Sequence, residues 1–202
     1  MKLFGKILIV ALATLVAGTA FGQCPQSAIS TGLGSPNNVI LVNDGTSSVL
    51  YAQAFTVECS SQFLNVEFAL GLQDPIELNG VPSLATGDYL RAYLMDDSRN
   101  VIGWTDHQLS FQNGSEYINF DLSGRTFEVG PGDYHVAVEA LSEGWGRIYT
   151  ANGLGVVGSM WTDTGSGWTE DATDDLMIRI YWDQNGVPND NLAWGAMKAS
   201  YR

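Results

Sequence analysis

Cysteine and histidine are nearly missing from this chain of 202 residues, which holds only Cys24, Cys59, His107 and His135. Two cysteines cannot build a disulfide-packed miniprotein, and with only two histidines beside them the chain lacks the closely spaced ligand pairs of a structural zinc site. Basic residues are scarce as well, nine Lys and Arg against 22 Asp and Glu, for a formal net charge of −13. Phosphate binding needs a positive surface, so this balance argues against nucleic acid as a partner and against an anionic membrane surface. No window of helical length carries apolar residues at three-and-four spacing, which excludes a helical fold. A fixed-period repeat is also missing, which disfavours solenoids and propellers. The G-x-S-x-G nucleophile elbow and the D-x-D-x-D-G calcium loop are absent from the sequence.

One long apolar run exists, from Ile7 to Ala17. It follows Lys2 and Lys6 and precedes small residues, the layout of a cleavable secretory leader over 1–22, with cleavage expected after Ala20 or Gly22. The run is too short to span a hydrocarbon layer of about 30 Å. A lipid anchor would need a small residue directly before Cys24, where Gln23 stands. The expected product is therefore a soluble protein, secreted or extracellular, with the periplasm as the other compartment such a leader opens. Removing the leader takes two bases and no acids, leaving seven bases against 22 acids, a charge of −15. In an oxidising compartment Cys24 and Cys59 are expected to pair, closing a loop of about 36 residues and contributing about 3 to 4 kcal/mol.

What the chain does have is alternation. After an extended arm over 23–36, period-two patterns predict strands over 38–42, 48–58, 63–72, 89–95, 101–104, 117–122, 127–129, 134–140, 147–150 and 176–182. Leu90, Ala92 and Leu94 face one way, and Tyr89, Arg91, Tyr93 and Met95 the other. On the last strand Leu176, Ile178, Ile180 and Trp182 are expected inward, with Met177, Arg179 and Tyr181 outward. Short strands with one apolar face each, separated by turn signals, describe an all-β antiparallel sandwich over 37–184. A tail over 185–202 follows, in which Trp194 and Tyr201 could dock back.

Several positions carry a family likeness: Gln53-x-Phe55, Leu64-x-Val66-x-Phe68, Tyr89-x-x-Ala92-x-Leu94, Val129-x-x-Gly132-x-Tyr134 and Asp175-Leu176-x-Ile178-Arg179-x-Tyr181. Over roughly 48–182 the chain resembles the secreted bacterial jelly-roll modules that accompany carbohydrate-active and adhesin proteins. The resemblance implies a jelly-roll-like β-sandwich and, less directly, a carbohydrate-binding or adhesive role.

Candidate sites come from the residues themselves. Sugar rings stack their C–H faces on aromatics and bond through their hydroxyls to Arg, Asn, Asp and His. The outward rows Tyr89, Arg91, Tyr93 and Arg179, Tyr181 would form one platform if their strands are neighbours, with Trp145, Trp161 and Trp168 walling it from loops. The competing expectation is that these aromatics cover a second small core. His135 belongs to the ligand-binding set, and as a catalytic base it lacks partners nearby in sequence. Asp163, Glu170, Asp171, Asp174 and Asp175, with Asp44, Asp96 and Asp97 in other turns, are candidate calcium ligands, since Ca²⁺ takes oxygen ligands from flexible acidic loops. The expected function is a non-enzymatic module binding a glycan or cell-surface polymer. The alternatives are a structural subunit of an extracellular layer or filament, self-assembled through arm or tail, and a small glycoside hydrolase.

Overall fold

The computed structural model describes residues 28–30, 36–58, 61–73, 76–111, 113–123, 127–152 and 158–184. The expected leader over 1–22, the expected tail over 185–202 and both members of the expected Cys24–Cys59 pair lie outside them. In chain order the strands are β1 (Ala28–Ser30), β2 (Pro36–Asn43), β3 (Leu50–Val57), β4 (Ser61–Gln73), β5 (Glu77–Leu78), β6 (Val81–Pro82), β7 (Tyr89–Asp96) and β8 (Val101–Gln108). They continue as β9 (Asn113–Asp121), β10 (Phe127–Val129), β11 (Gly132–Ala140), β12 (Gly144–Asn152), β13 (Met160–Asp163), β14 (Trp168–Asp171), β15 (Asp174–Leu176) and β16 (Ile178–Gln184).

These strands form two large antiparallel sheets and one miniature hairpin, β5 with β6. The six-stranded sheet runs β14-β13-β3-β11-β7-β8. The eight-stranded sheet follows β1-β16-β4-β12-β15, with β9 and β10 pairing β4 and with β2 pairing β12. Its long strand β4 holds β16 alongside its first part and β12 near its end. Met177 sits at that fork, taking the Ala69 amide on its carbonyl at 3.0 Å and donating its own amide to the Tyr149 carbonyl at 2.8 Å.

The inner faces carry the predicted alternation. Val66, Phe68, Leu70, Ile118, Phe120, Leu122, Leu176, Ile178, Ile180 and Trp182 meet Phe55, Val57, Leu90, Ala92, Leu94, Val136 and Val138 in one buried core. Fully burying each such side chain contributes about 1.5 to 3 kcal/mol, which makes this layer the main stabilising term of the fold. Trp182 stacks on Phe55 with ring centroids 6.2 Å apart.

Several expectations are corrected. The stretch over 176–182 is two strands that divide at Met177. Trp145 is buried in a nine-residue strand of the eight-stranded sheet, not in a loop, and donates its indole N–H to the Ile76 carbonyl at 3.1 Å. Two glycines hide that strand's pattern, because a Cβ on Gly144 would lie 2.8 Å from Leu84 and one on Gly146 3.1 Å from Leu72. The strand predicted over 101–104 runs on through Thr105-Asp106-His107 to Gln108 as β8. Trp161 and Trp168 stand on a hairpin at the sheet edge, with Asp163 opposite Trp168. Its turn sequence reads as loop because Asp163 Oδ1 accepts the amides of Gly165 and Gly167 at 2.8 and 3.1 Å, both glycines having positive φ. Within the arm, Ala28 to Ser30 pair with Tyr181 to Arg179 and lengthen the eight-stranded sheet.

Candidate functional site

The two outward rows do not share a platform. Tyr89, Arg91 and Tyr93 stand on β7 in the six-stranded sheet, whereas Arg179 and Tyr181 stand on β16 in the eight-stranded one. Each row heads a separate outer face.

On the eight-stranded sheet, register brings together residues far apart in sequence. Tyr117 lies across from Ala69, Ser115 from Gly71, and Arg179 from Glu67. Ala69, Ala151 and Met177 are buried there beneath Tyr117 and Tyr149. The two tyrosines flank an open recess of about 380 Å³, floored by Ala69 and Met177 and edged by Ser115 and Glu116. Ser115 Oγ and Tyr149 Oη are 2.7 Å apart. The Arg179 guanidinium lies 3.8 Å over the Tyr117 ring and donates to Glu67 Oε2 at 3.2 Å. That bond to Glu67 raises the Arg179 pKa. The result is an apolar, two-tyrosine trough with a cation and a carboxylate beside it, inside the about 300 to 1,000 Å³ range of ligand pockets.

On the six-stranded sheet the aromatics cover a second apolar cluster. Ala52, Met95 and Ala137 are buried beneath Leu50, Tyr93, Trp161 and Trp168. Arg91 is tied up, donating through Nε and Nη2 to Asp106 at 2.6 and 3.0 Å while its guanidinium lies 3.9 Å over Trp104. The Tyr93 hydroxyl donates to Glu139, and burial first, then this bond, pushes its pKa up to about 12. Tyr89 is the open member of the row, 43 % exposed. His135 is not a surface histidine: it is 3 % exposed, edge-on to Trp161 at 6.2 Å, with Nδ1 3.2 Å from the Asp96 carbonyl. Burial lowers its pKa, which keeps the ring neutral.

The acidic residues do not gather. Asp163 caps its hairpin turn, and Asp171 accepts the amide and hydroxyl of Thr173 at 2.9 and 2.7 Å. The hydroxyl of Thr150 donates to Asp174 at 3.4 Å, and Asp175 is buried against Gln53. Glu170 borders a cleft beside Trp161. Asp44 and Asp96 close turns of their own. Among the described residues no three Asp, Glu, His or Cys side chains are grouped as a metal ion would need.

Tyr117, Tyr149 and Arg99 were not among the candidate site residues, and Met177 was placed outward without a role. A signal existed for Tyr117, which is out of phase with Ile118, Phe120 and Leu122 and so must point outward. The Ala69 beneath it becomes visible only once β9 is registered on β4. A search against protein-family models gives no match for this chain, and a search against curated proteins gives none. What the geometry itself defines is a class: an all-β antiparallel sandwich with an aromatic recess on one outer face.

Proposed function

We propose that this is a secreted, non-enzymatic binding module of the jelly-roll kind, and that it holds a glycan chain in the recess between Tyr117 and Tyr149. The observation that carries this reading is the pairing of two outward tyrosines over an apolar floor, with the Arg179–Glu67 pair beside them and the guanidinium stacked on Tyr117. A pyranose offers the matching surface, apolar on its C–H faces and polar around its rim. Tyr181 lies on the same outer face, opposite Asn65, where it would extend the contact. The rival, assembly through the arm, draws less support, since Ala28–Ser30 already pair with this domain's own last strand.

A glycan array on the purified protein, run with and without calcium, identifies the ligand. Titration calorimetry on Tyr117→Ala and Tyr149→Ala then tests the recess, with an expected affinity loss of about tenfold or more in each. Unchanged affinity in both variants would remove the recess from the reading. No glycan bound, together with large species in light scattering, would favour the structural subunit instead.

A further inference from the structure

The opposite face carries a second cavity of different chemistry, and it stands apart from the glycan recess. It is a cleft of about 300 Å³ bordered by Trp161, Arg99, His135, Asp97, Asp133 and Glu170. Three carboxylates face one guanidinium, so the lining is net negative. The cation is not paired with the acids: Arg99 stacks 4.1 Å over the Trp161 ring, and its buried Nε has no hydrogen-bond partner. Asp133 accepts the Thr56 hydroxyl at 2.6 Å, whereas among the described residues Asp97 and Glu170 take no hydrogen bond or ion pair. His135 supplies the remaining group. A carbonyl can only accept, so Nδ1 must carry the proton it shares with Asp96, leaving Nε2 as an acceptor on a side chain 3 % exposed at the cleft wall.

The cleft thus carries three carboxylates against a single guanidinium, itself held over Trp161, and is walled by that indole. Its acids border the cavity without converging, since among the described residues no group of three ligands is close enough for one metal ion. The net negative lining calls for a positive charge, and the cavity has room for that charge on a larger body. Ammonium groups are drawn to carboxylates, and the apolar C–H surface of a sugar ring packs against aromatic side chains. We propose that this cleft binds a protonated amino sugar, its ammonium between Asp97 and Glu170 and its ring against Trp161.

The test is calorimetric titration of the purified protein with a fully deacetylated glucosamine oligomer, the same oligomer N-acetylated, and cadaverine, an amine without a ring. The deacetylated oligomer is expected to bind at least about tenfold tighter than either control, and Asp97→Asn with Glu170→Gln to weaken it about tenfold. Both side chains are exposed, and an unchanged thermal midpoint will show that the variant folds. Tyr117→Ala with Tyr149→Ala should leave amine binding intact, which separates failure of this site from failure of the glycan recess. Asp121→Asn with Glu143→Gln removes two charges elsewhere and should have little effect. Equal binding of the acetylated oligomer or of cadaverine would overturn the proposal. So would an undiminished affinity in the cleft variant, or an equal loss in the remote one, which would mark attraction to the protein's net charge alone.

Discussion

Gln53 Nε2 donates to Asp175 Oδ1 at 3.1 Å, although Gln53 belongs to β3 of the six-stranded sheet and Asp175 to β15 of the eight-stranded one. Gln53 has no exposed surface. The same amide donates to the Gly158 carbonyl at 2.7 Å, and Oε1 accepts the Leu176 amide at 2.7 Å. One side chain thereby ties the two layers together where an apolar residue could not satisfy the β15 backbone. Replacing it as Gln53→Leu leaves the Leu176 amide without its acceptor, and the expected cost is about 2 to 4 kcal/mol. Urea denaturation checks this, and a midpoint equal to the parent's would show that the bridge contributes nothing net.

Gly71 makes room for Tyr149. A Cβ there would stand 2.7 Å from the tyrosine oxygen and 3.0 Å from its Cε2, and the Gly71 backbone is an ordinary one that alanine can adopt. Gly71→Ala should therefore leave the fold in place, displace the ring, and lower affinity at the recess by about tenfold. Parent-level affinity with an unmoved Tyr149 ring signal would contradict that.

A tighter contact joins the sheets at Gly103, where a Cβ would overlap the Phe127 ring. Phe127 lies on β10 of the facing sheet, so its ring must turn aside or the two sheets must part. Gly103→Ala is expected to cost about 1 to 3 kcal/mol by overpacking. Thermal unfolding provides the comparison, with Gly80→Ala, which meets nothing within 4 Å but has positive φ, as a backbone-strain reference.

Acid should destabilise the protein in two stages. Burial penalises the imidazolium of His107 and His135, so each folded histidine holds its proton less readily than the ordinary value of 6.5. From about pH 6.5 down to those lower folded values the unfolded chain binds more protons, and stability falls until the folded histidines also titrate. Asp44, held down to about 2 first by the Thr46 hydroxyl and then by backbone amides, acts in a second stage with Asp96, Asp121 and Asp171. Their contribution is complete above the ordinary 3.8 and is lost as pH falls through the depressed folded values. Urea midpoints across about pH 7.5 to 5.5 should decline in the parent and stay flat in His107→Gln with His135→Gln. A flat parent profile would refute the first stage.

The fold class was readable because its signal is local. Val66, Phe68 and Leu70, or Leu176, Ile178 and Ile180, alternate in any register, and all are buried. What the sequence hid was cross-strand pairing. Tyr117 meets Ala69 across 48 positions and Arg179 meets Glu67 across 112, distances over which no periodicity speaks. Glycine did the rest, since Gly144 and Gly146 are core positions filled by Leu84 and Leu72 and read as loop for want of their own side chains. The acidic segment before β16 shows a related limit: turn-capping aspartates look the same in one dimension as ligands for an ion.

The pairing of β1 with β16 sets how the molecule would carry load. The first and last described strands lie antiparallel at one edge, Ala28 beside Tyr181, so chain leaving either strand at this end departs from neighbouring points. Tension that draws those two points apart would part their ladder one rung at a time, like a zip, because each hydrogen bond lies along the line of pull and is loaded in turn. Tension entering through the recess would spread over β4, β9 and β16 at once, along their length. Load on the chain at this end therefore meets the β1–β16 ladder before it meets the rest of the sheet.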